Sequence, residues 1–300
     1  MPKKQKQHRF YTVICCVIAM VLLSTALPFV ASATIIHVDA ASTVGNPYPT
    51  GTWGIYNSYL VEYQDDADIA YLKFNATAGD RLAVLVTEKS IVPSRNNCEV
   101  KVTGPSGSPP PWYTDQIVYY NGNSLFPYYI LRIDASKTGS YEIEIKRTSN
   151  IGDYGNLTVS FEPRMASTTT TISVPGTASN PGNSGLSLNG VNSSVISVNL
   201  TSNSAIPNDA VVKSIETTGT QTPSQGNVRH HLKPNSSASW FESTVSSNSS
   251  GKYNISIANG FAVKQNWEFR YNAMATAAST MKSVNLKITY EYDKTIGMYY

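Results

Sequence analysis

Residues able to do chemistry are few in this chain, and their spacing suits catalysis poorly. Beyond position 33 the histidines are His37, His230 and His231. A nucleophile needs a base within hydrogen-bond reach. No serine stands in a G-x-S-x-G elbow, and Gly182-Asn-Ser-Gly185 and Gly104-Pro-Ser-Gly107 read as turns. Ser279-Thr-Met-Lys282 and Lys137-Thr-Gly139 match two marks of penicillin-recognising enzymes, but in reversed order and far apart. His230 and His231 are adjacent, so a strand would point them to opposite faces and they could not share one ion. Asp65, Asp66 and Asp68 place three carboxylates within four residues of a turn, hard oxygens suited to calcium, with Asp39 and Asp80 as further donors. The alternative is a solvated acidic turn, because the D-x-[DN]-x-[DN]-G pattern and its distal Glu are missing.

Aromatic residues are the most distinctive signal. The chain has 19 tyrosines, and the richest stretch runs from Pro111 through Trp112, Tyr113, Tyr119 and Tyr120 to Tyr128 and Tyr129. Flat rings with polar tips stack on sugar faces or extended polymers while staying wet. These six residues are the candidate ligand-binding set. On a strand, paired tyrosines send one ring inward and one outward, so part of the set is expected to be core. Cys98 alternates onto one face with Val100 and Val102, which reads as a small buried hydrophobe rather than a reactive thiol.

The elements that must position these residues are strands. Tyr141-Glu-Ile-Glu-Ile-Lys146, Leu157 to Glu162, Ile196 to Thr201, Tyr253 to Ile257, Trp267 to Tyr271 and Val284 to Glu291 alternate apolar and polar side chains. That period of two gives each strand one buried and one wet face. Gly, Pro, Asn and Asp clusters separate them. The pattern predicts antiparallel sheets packed face to face. Residues 165–190, rich in Ser, Thr, Gly and Pro, read as a linker, with Thr171-Ile-Ser-Val174 as an alternative first strand of the second domain.

The start of the chain predicts export. Lys3, Lys4, Lys6 and Arg9 precede an apolar run from Val13 to Leu27, and Ala31-Ser32-Ala33 offers a cleavage site. Residues 1–33 are thus expected to be a signal peptide, with a retained anchor as the alternative. The chain carries 23 Lys and Arg against 20 Asp and Glu. Four of those bases lie in residues 1–33, leaving 19 against 20, a balance that argues against a nucleic-acid partner. Removing the leader also leaves Cys98 as the sole cysteine, so no internal disulfide is expected. Seven N-x-[ST] sequons occur, as an Asn-, Ser- and Thr-rich chain produces by chance. The C-terminal residues Ile296-Gly-Met-Tyr-Tyr300 carry no L-P-x-T-G sorting signal, so release or non-covalent retention is expected.

Asp66-Ala-Asp-Ile-Ala-Tyr-Leu-Lys-Phe74, Ala78-Gly-Asp80 and Leu82-Ala-Val-Leu-Val86 succeed one another in the first half. Val100 to Gly107, Thr138 to Ile145 and Tyr154 to Phe161 come next. This ordered set, over residues 55–163, resembles the bacterial pre-peptidase C-terminal domain. The resemblance implies a jelly-roll-like sandwich, usually an accessory of a secreted enzyme and sometimes a binder of collagen or polysaccharide. No protease precedes it here, a departure from the family's common arrangement.

The expectation is an all-β protein of two antiparallel β-sandwich, jelly-roll-like domains, residues 34–164 and 191–300. It would be secreted or held at the cell surface, non-catalytic, and would bind an extracellular polysaccharide or protein polymer through aromatic loops. The cofactor expected is none, or calcium at the acidic turn. The alternatives are a structural subunit of a surface layer or fibre, and a secreted enzyme of unrecognised type.

Overall fold

The computed structural model describes residues 34–38, 45–54, 57–63, 69–88, 98–108, 111–113, 117–118, 128–147, 156–226, 228–243, 253–255, 257 and 260–296. For 34–38, 57, 88, 112–113, 117–118, 128, 147 and 156 the description is of the backbone alone. Residues 1–33, the predicted leader, lie outside it. Among the described residues no helix is long and apolar enough to cross a membrane.

The protein is all-β. The strands of the first domain are β1 (Thr34–Val38), β2 (Tyr48–Thr52), β3 (Asn57–Tyr63), β4 (Ile69–Ala76), β5 (Arg81–Glu88), β6 (Cys98–Thr103), β7 (Trp112–Tyr113), β8 (Ile117–Val118), β9 (Tyr128–Asp134), β10 (Gly139–Arg147) and β11 (Asn156–Pro163). One sheet runs β1-β3-β11-β5-β9-β8 and the other β2-β4-β10-β6-β7. From β1 to β6 each strand lies in the sheet opposite its predecessor, so the chain weaves across the sandwich rather than forming hairpins. The pairing is antiparallel except that β1 joins β3 and β2 joins β4 in parallel. Both β1 and β2 are edge strands, and the chain passes through the opposite sheet before it pairs with each of them. Val61, Val84, Leu131, Val159 and Phe161 from one sheet meet Leu72, Phe74, Val102, Tyr141 and Ile143 from the other in one core. Cys98 belongs to it, 4% exposed, on the face with Val100 and Val102 that alternation gives it.

The second domain contains β12 (Met165–Val174), β13 (Ala178–Asn180), β14 (Val191–Asn192), β15 (Ile196–Asn199), β16 (Val211–Thr222), β17 (Val228–Pro234), β18 (Phe241–Glu242), β19 (Tyr253–Ile255), β20 (Asn266–Ala273) and β21 (Ser279–Asp293). One sheet runs β12-β21-β16-β19, with β13 also on β21; the other runs β14-β20-β17-β18, with β15 also on β20. Val212, Ile215, Leu286 and Ile288 face Leu232, Trp267, Phe269 and Tyr271 across the core.

Within residues 165–190, read from the sequence as a linker with Thr171–Val174 as an alternative strand, the strand is present and begins earlier, at Met165. Met165–Val174 pairs with β21 over its whole length, from Met165↔Asp293 to Val174↔Val284. Backbone hydrogen bonds order this strand without much apolar burial, and β-branched Thr suits an extended edge. Thr169 and Thr289 hydroxyls bond across the pair at 2.9 Å, and Ser173 donates to Asn285 at 2.7 Å. The loop after β13 is tied down too. Buried Asn183 donates to the Ser187 carbonyl, and its own backbone N–H donates to the Ala275 carbonyl at 2.8 Å. Only Arg164 separates β11 from β12.

Candidate functional site on the outer face of the second sandwich

The aromatic set proposed from sequence is only partly placed. Tyr129 is 3% exposed and packs in the first core beside Leu131 and Ile133, so it cannot meet a ligand. The alternation of β9 turns it inward, opposite Val86 of β5. Tyr128 lies one position earlier on the same strand. Trp112 and Tyr113 form β7, whose register sets them opposite the buried Val102 and opposite Lys101. Tyr119 and Tyr120 fall outside the described residues, as do Asp65, Asp66 and Asp68, so the calcium expectation rests on the sequence. Asp80, named as a further donor, already accepts from the Trp53 indole N–H at 2.7 Å and the Thr77 backbone N–H at 2.8 Å. Among the described residues no group of three His, Cys, Asp or Glu is arranged to hold a metal.

A different surface gathers the chemistry. In β20, Trp267, Phe269, Tyr271 and Ala273 point into the core. The intervening Glu268, Arg270 and Asn272 therefore share the opposite face. In β17, Val228, His230 and Leu232 point inward, which leaves Arg229, His231 and Lys233 outward. The register sets His231 between Arg270 of β20 and Glu242 of β18, and Lys233 opposite Glu268. Trp240 stands just before β18, at the sheet edge. Its indole reaches across β17: the Arg270 Cζ lies 4.2 Å from the ring centroid and the Lys233 Nζ 5.3 Å. Strands are about 4.8 Å apart, so the ring spans two of them.

Side chains on this face fix one another. Lys233 pairs with Glu268 at 2.8 Å and Arg229 with Glu242 at 3.5 Å. Arg270 Nε donates to His231 Nδ1 at 3.3 Å. His231 Nε2 lies 3.7 Å from Glu242 Oε1, without a hydrogen bond. Burial pushes the His231 pKa down, Glu242 opposes that, and the Arg270 and Arg229 charges add to the lowering. The ring is thus neutral at pH 7. Arg270 already occupies Nδ1 as a donor, so the imidazole proton sits on Nε2. Partial desolvation likewise lowers Arg270 from its usual value. A guanidinium over an indole is worth about 0.5–1 kcal/mol at an exposed site. That biases Arg270 towards this position, and the hydrogen bond to His231 adds to the bias.

Among the tryptophans whose side chains are described, the indole N–H distinguishes Trp240. Trp53 donates to Asp80 and Trp267 to the Val263 carbonyl at 3.0 Å. Trp240 is half-buried, and its N–H meets no acceptor among the described residues. A ring with part of its surface in water and an open donor can take a ligand. The sequence reasoning missed this face. The polar positions of Trp267-Glu-Phe-Arg-Tyr271 were legible, and a tryptophan in the serine-rich stretch before Phe241 was a signal left unused.

No known family profile matches the chain. The uncharacterized protein YbdN of Bacillus subtilis (strain 168) is 34% identical to it over 279 residues, 92% of this chain and 95% of YbdN. This chain belongs to the YbdN family. Two solved structures align loosely with this YbdN-family protein. A presumed secreted protein from Eubacterium rectale has a TM-score of 0.39 at 11% identity, covering 84% of this chain and 81% of that one. The CBM22-1-CBM22-2 tandem of Paenibacillus barcinonensis Xyn10C has a TM-score of 0.29 at 10% identity, covering 72% and 82%. Neither alignment is close enough to transfer a ligand, so the YbdN-family site is read from its own geometry.

Proposed function

We infer that this protein is exported and non-catalytic, and that it binds an extracellular polymer, carbohydrate or extended peptide, along the outer face of β14-β20-β17-β18. One observation carries the reading: Trp240 lies across the sheet face over Arg270 and Lys233, and its N–H meets no acceptor among the described residues. A sheet face flanked by paired charges suits a long chain lying along it better than a small molecule that must be enclosed. The aromatic stretch from Trp112 to Tyr128 remains a second candidate contact. On this reading the first sandwich is the accessory domain that its resemblance to the pre-peptidase C-terminal family suggests. The leader in residues 1–33 supports export.

The test is retention of purified protein on insoluble cell-wall polysaccharide and on a glycan array. Trp240→Ala is expected to weaken retention by about thirty-fold, as for an aromatic anchor worth about 2 kcal/mol. Equal retention of the variant would remove the proposed face.

One observation favours a second reading, a subunit of a surface coat. No Asp, Glu, Lys, Arg or His occurs from Met165 to Asn208. The ordered loop in this stretch holds Leu186 and Leu188 at 71% and 93% exposure. Sedimentation that stays monomeric at high concentration would remove this reading; concentration-dependent growth abolished by Leu186→Ser with Leu188→Ser would support it.

A further inference from the structure

We propose that the Trp240 face takes uronic-acid units of an acidic polysaccharide, the Arg270 guanidinium holding the sugar carboxylate while the indole lies against the sugar ring. This rests on the polymer-binding reading above and names its ligand class.

Charge is the first argument. Of the three cations on the face, Lys233 is matched by Glu268 at 2.8 Å and Arg229 by Glu242 at 3.5 Å. Arg270 has no carboxylate within ion-pair distance among the described residues, and its Nε alone is hydrogen-bonded, to His231. Its two terminal nitrogens therefore present an unfilled planar fork. Two parallel N–H donors match a carboxylate better than they match a hydroxyl. Three cations against two carboxylates leave the face one positive charge in excess, which suits an anionic polymer.

His231 is the second argument. Its side chain is 6% exposed, and Nε2 meets no hydrogen-bond acceptor among the described residues. The ring is closed to solvent and so acts as a positioning group: by accepting from the Arg270 Nε it holds the guanidinium and leaves the two terminal nitrogens for a ligand. It lies beside Arg270 and next to Glu242, whose carboxylate can accept sugar hydroxyls. The indole contributes the third element, a flat apolar surface for the C–H face of a pyranose. Anionic polymers without sugar rings would use Arg270 and leave Trp240 idle.

The experiment measures calorimetric affinity of the full protein for polygalacturonate and for the same polymer fully methyl-esterified, with xylan and polyglutamate alongside. A chelator is present, so that calcium bridging is excluded. Esterification keeps the sugar and removes the charge. The free acid is expected to bind about ten- to a hundred-fold more tightly than the ester, as for one charged hydrogen-bonded pair. Arg270→Gln should erase that preference. Arg270→Lys, which keeps the charge without the fork, should retain only part of it, and Trp240→Ala should weaken both polymers. Unchanged melting curves verify that the variants fold. Equal affinity for acid and ester, a preference surviving in Arg270→Gln, or polyglutamate binding as tightly as polygalacturonate would overturn the inference. Binding of xylan with no preference for the acid would overturn it while leaving polymer binding standing. Binding to no polysaccharide would remove both.

Discussion

His230 shows what one buried side chain imposes. It stacks on Tyr253 with ring centroids 3.6 Å apart, meets Phe269 edge-on, and places Nδ1 2.8 Å from the Thr217 hydroxyl. Burial, with the neighbouring His231, pushes its pKa down to about 3. The unfolded chain, at about 6.5, therefore holds the proton more tightly than the folded one. Stability from this group is full above about pH 6.5 and falls as pH drops towards 3, by up to about 1.4 kcal/mol per unit. His231, also lowered, adds the same sign. Urea denaturation of His230→Gln, compared with the unsubstituted protein at several pH values between 7 and 4, should show a shallower acid slope; parallel slopes would refute the assignment. The sequence already put adjacent histidines on opposite faces, and they are. What it could not show is that both faces are covered. Glu242 and Arg270 reach His231 through pairings across 11 and 39 positions, set by register, and Tyr253 reaches His230 from the opposite sheet.

At the scale of elements, alternation was a sound guide where one face is apolar and a poor one where neither is. Tyr141 to Lys146, Leu157 to Glu162 and Trp267 to Tyr271 are all strands, with the apolar positions inward. β12 carries no such stripe, so its threonines looked like linker. Its order comes from β21, more than a hundred residues away, and no local signal encodes that partner. Hydrogen exchange separates the two descriptions. About every second amide of Thr168–Ser173 should be protected, because an edge strand bonds on one side, whereas a linker would exchange throughout. The loop after β13 makes a sharper demand. Gly182 is buried at φ +86°, and a Cβ there would press on the Thr276 and Ala277 carbonyls. Gly182→Ala combines a left-handed backbone with a backbone clash, so a loss of about 2–4 kcal/mol is expected in chemical denaturation. A loss below about 0.5 kcal/mol would mean that the loop does not dock as described.

For the whole molecule the decisive residue is Arg164, the one-residue joint between the sandwiches. Its backbone N–H donates to the Arg81 carbonyl and its carbonyl accepts from the Lys294 N–H, both at 3.0 Å. Its side chain, 9% exposed, reaches Asp293 Oδ2 at 2.6 Å and Asp134 Oδ1 at 3.2 Å. Around it Lys294 pairs with Glu162 at 3.0 Å, and Arg132 donates to the Thr295 hydroxyl at 2.9 Å and carbonyl at 3.1 Å. Charges from the two halves of the sequence thus meet at one junction. The exposed pairs contribute at most about 1 kcal/mol each and weaken with salt. The Arg164–Asp293 pair differs, because Asp293 is only 4% exposed. Removing one partner leaves a buried charge uncompensated, at about 3–5 kcal/mol. Arg164→Ala should therefore lower the melting temperature and free the sandwiches to move apart, raising the maximum dimension in small-angle scattering. Arg164→Ala with Asp293→Asn removes both charges, so it should recover part of the stability but not the compact arrangement. If both variants scatter like the unsubstituted protein, the β12–β21 ladder and the Thr295 contacts hold the domains without Arg164.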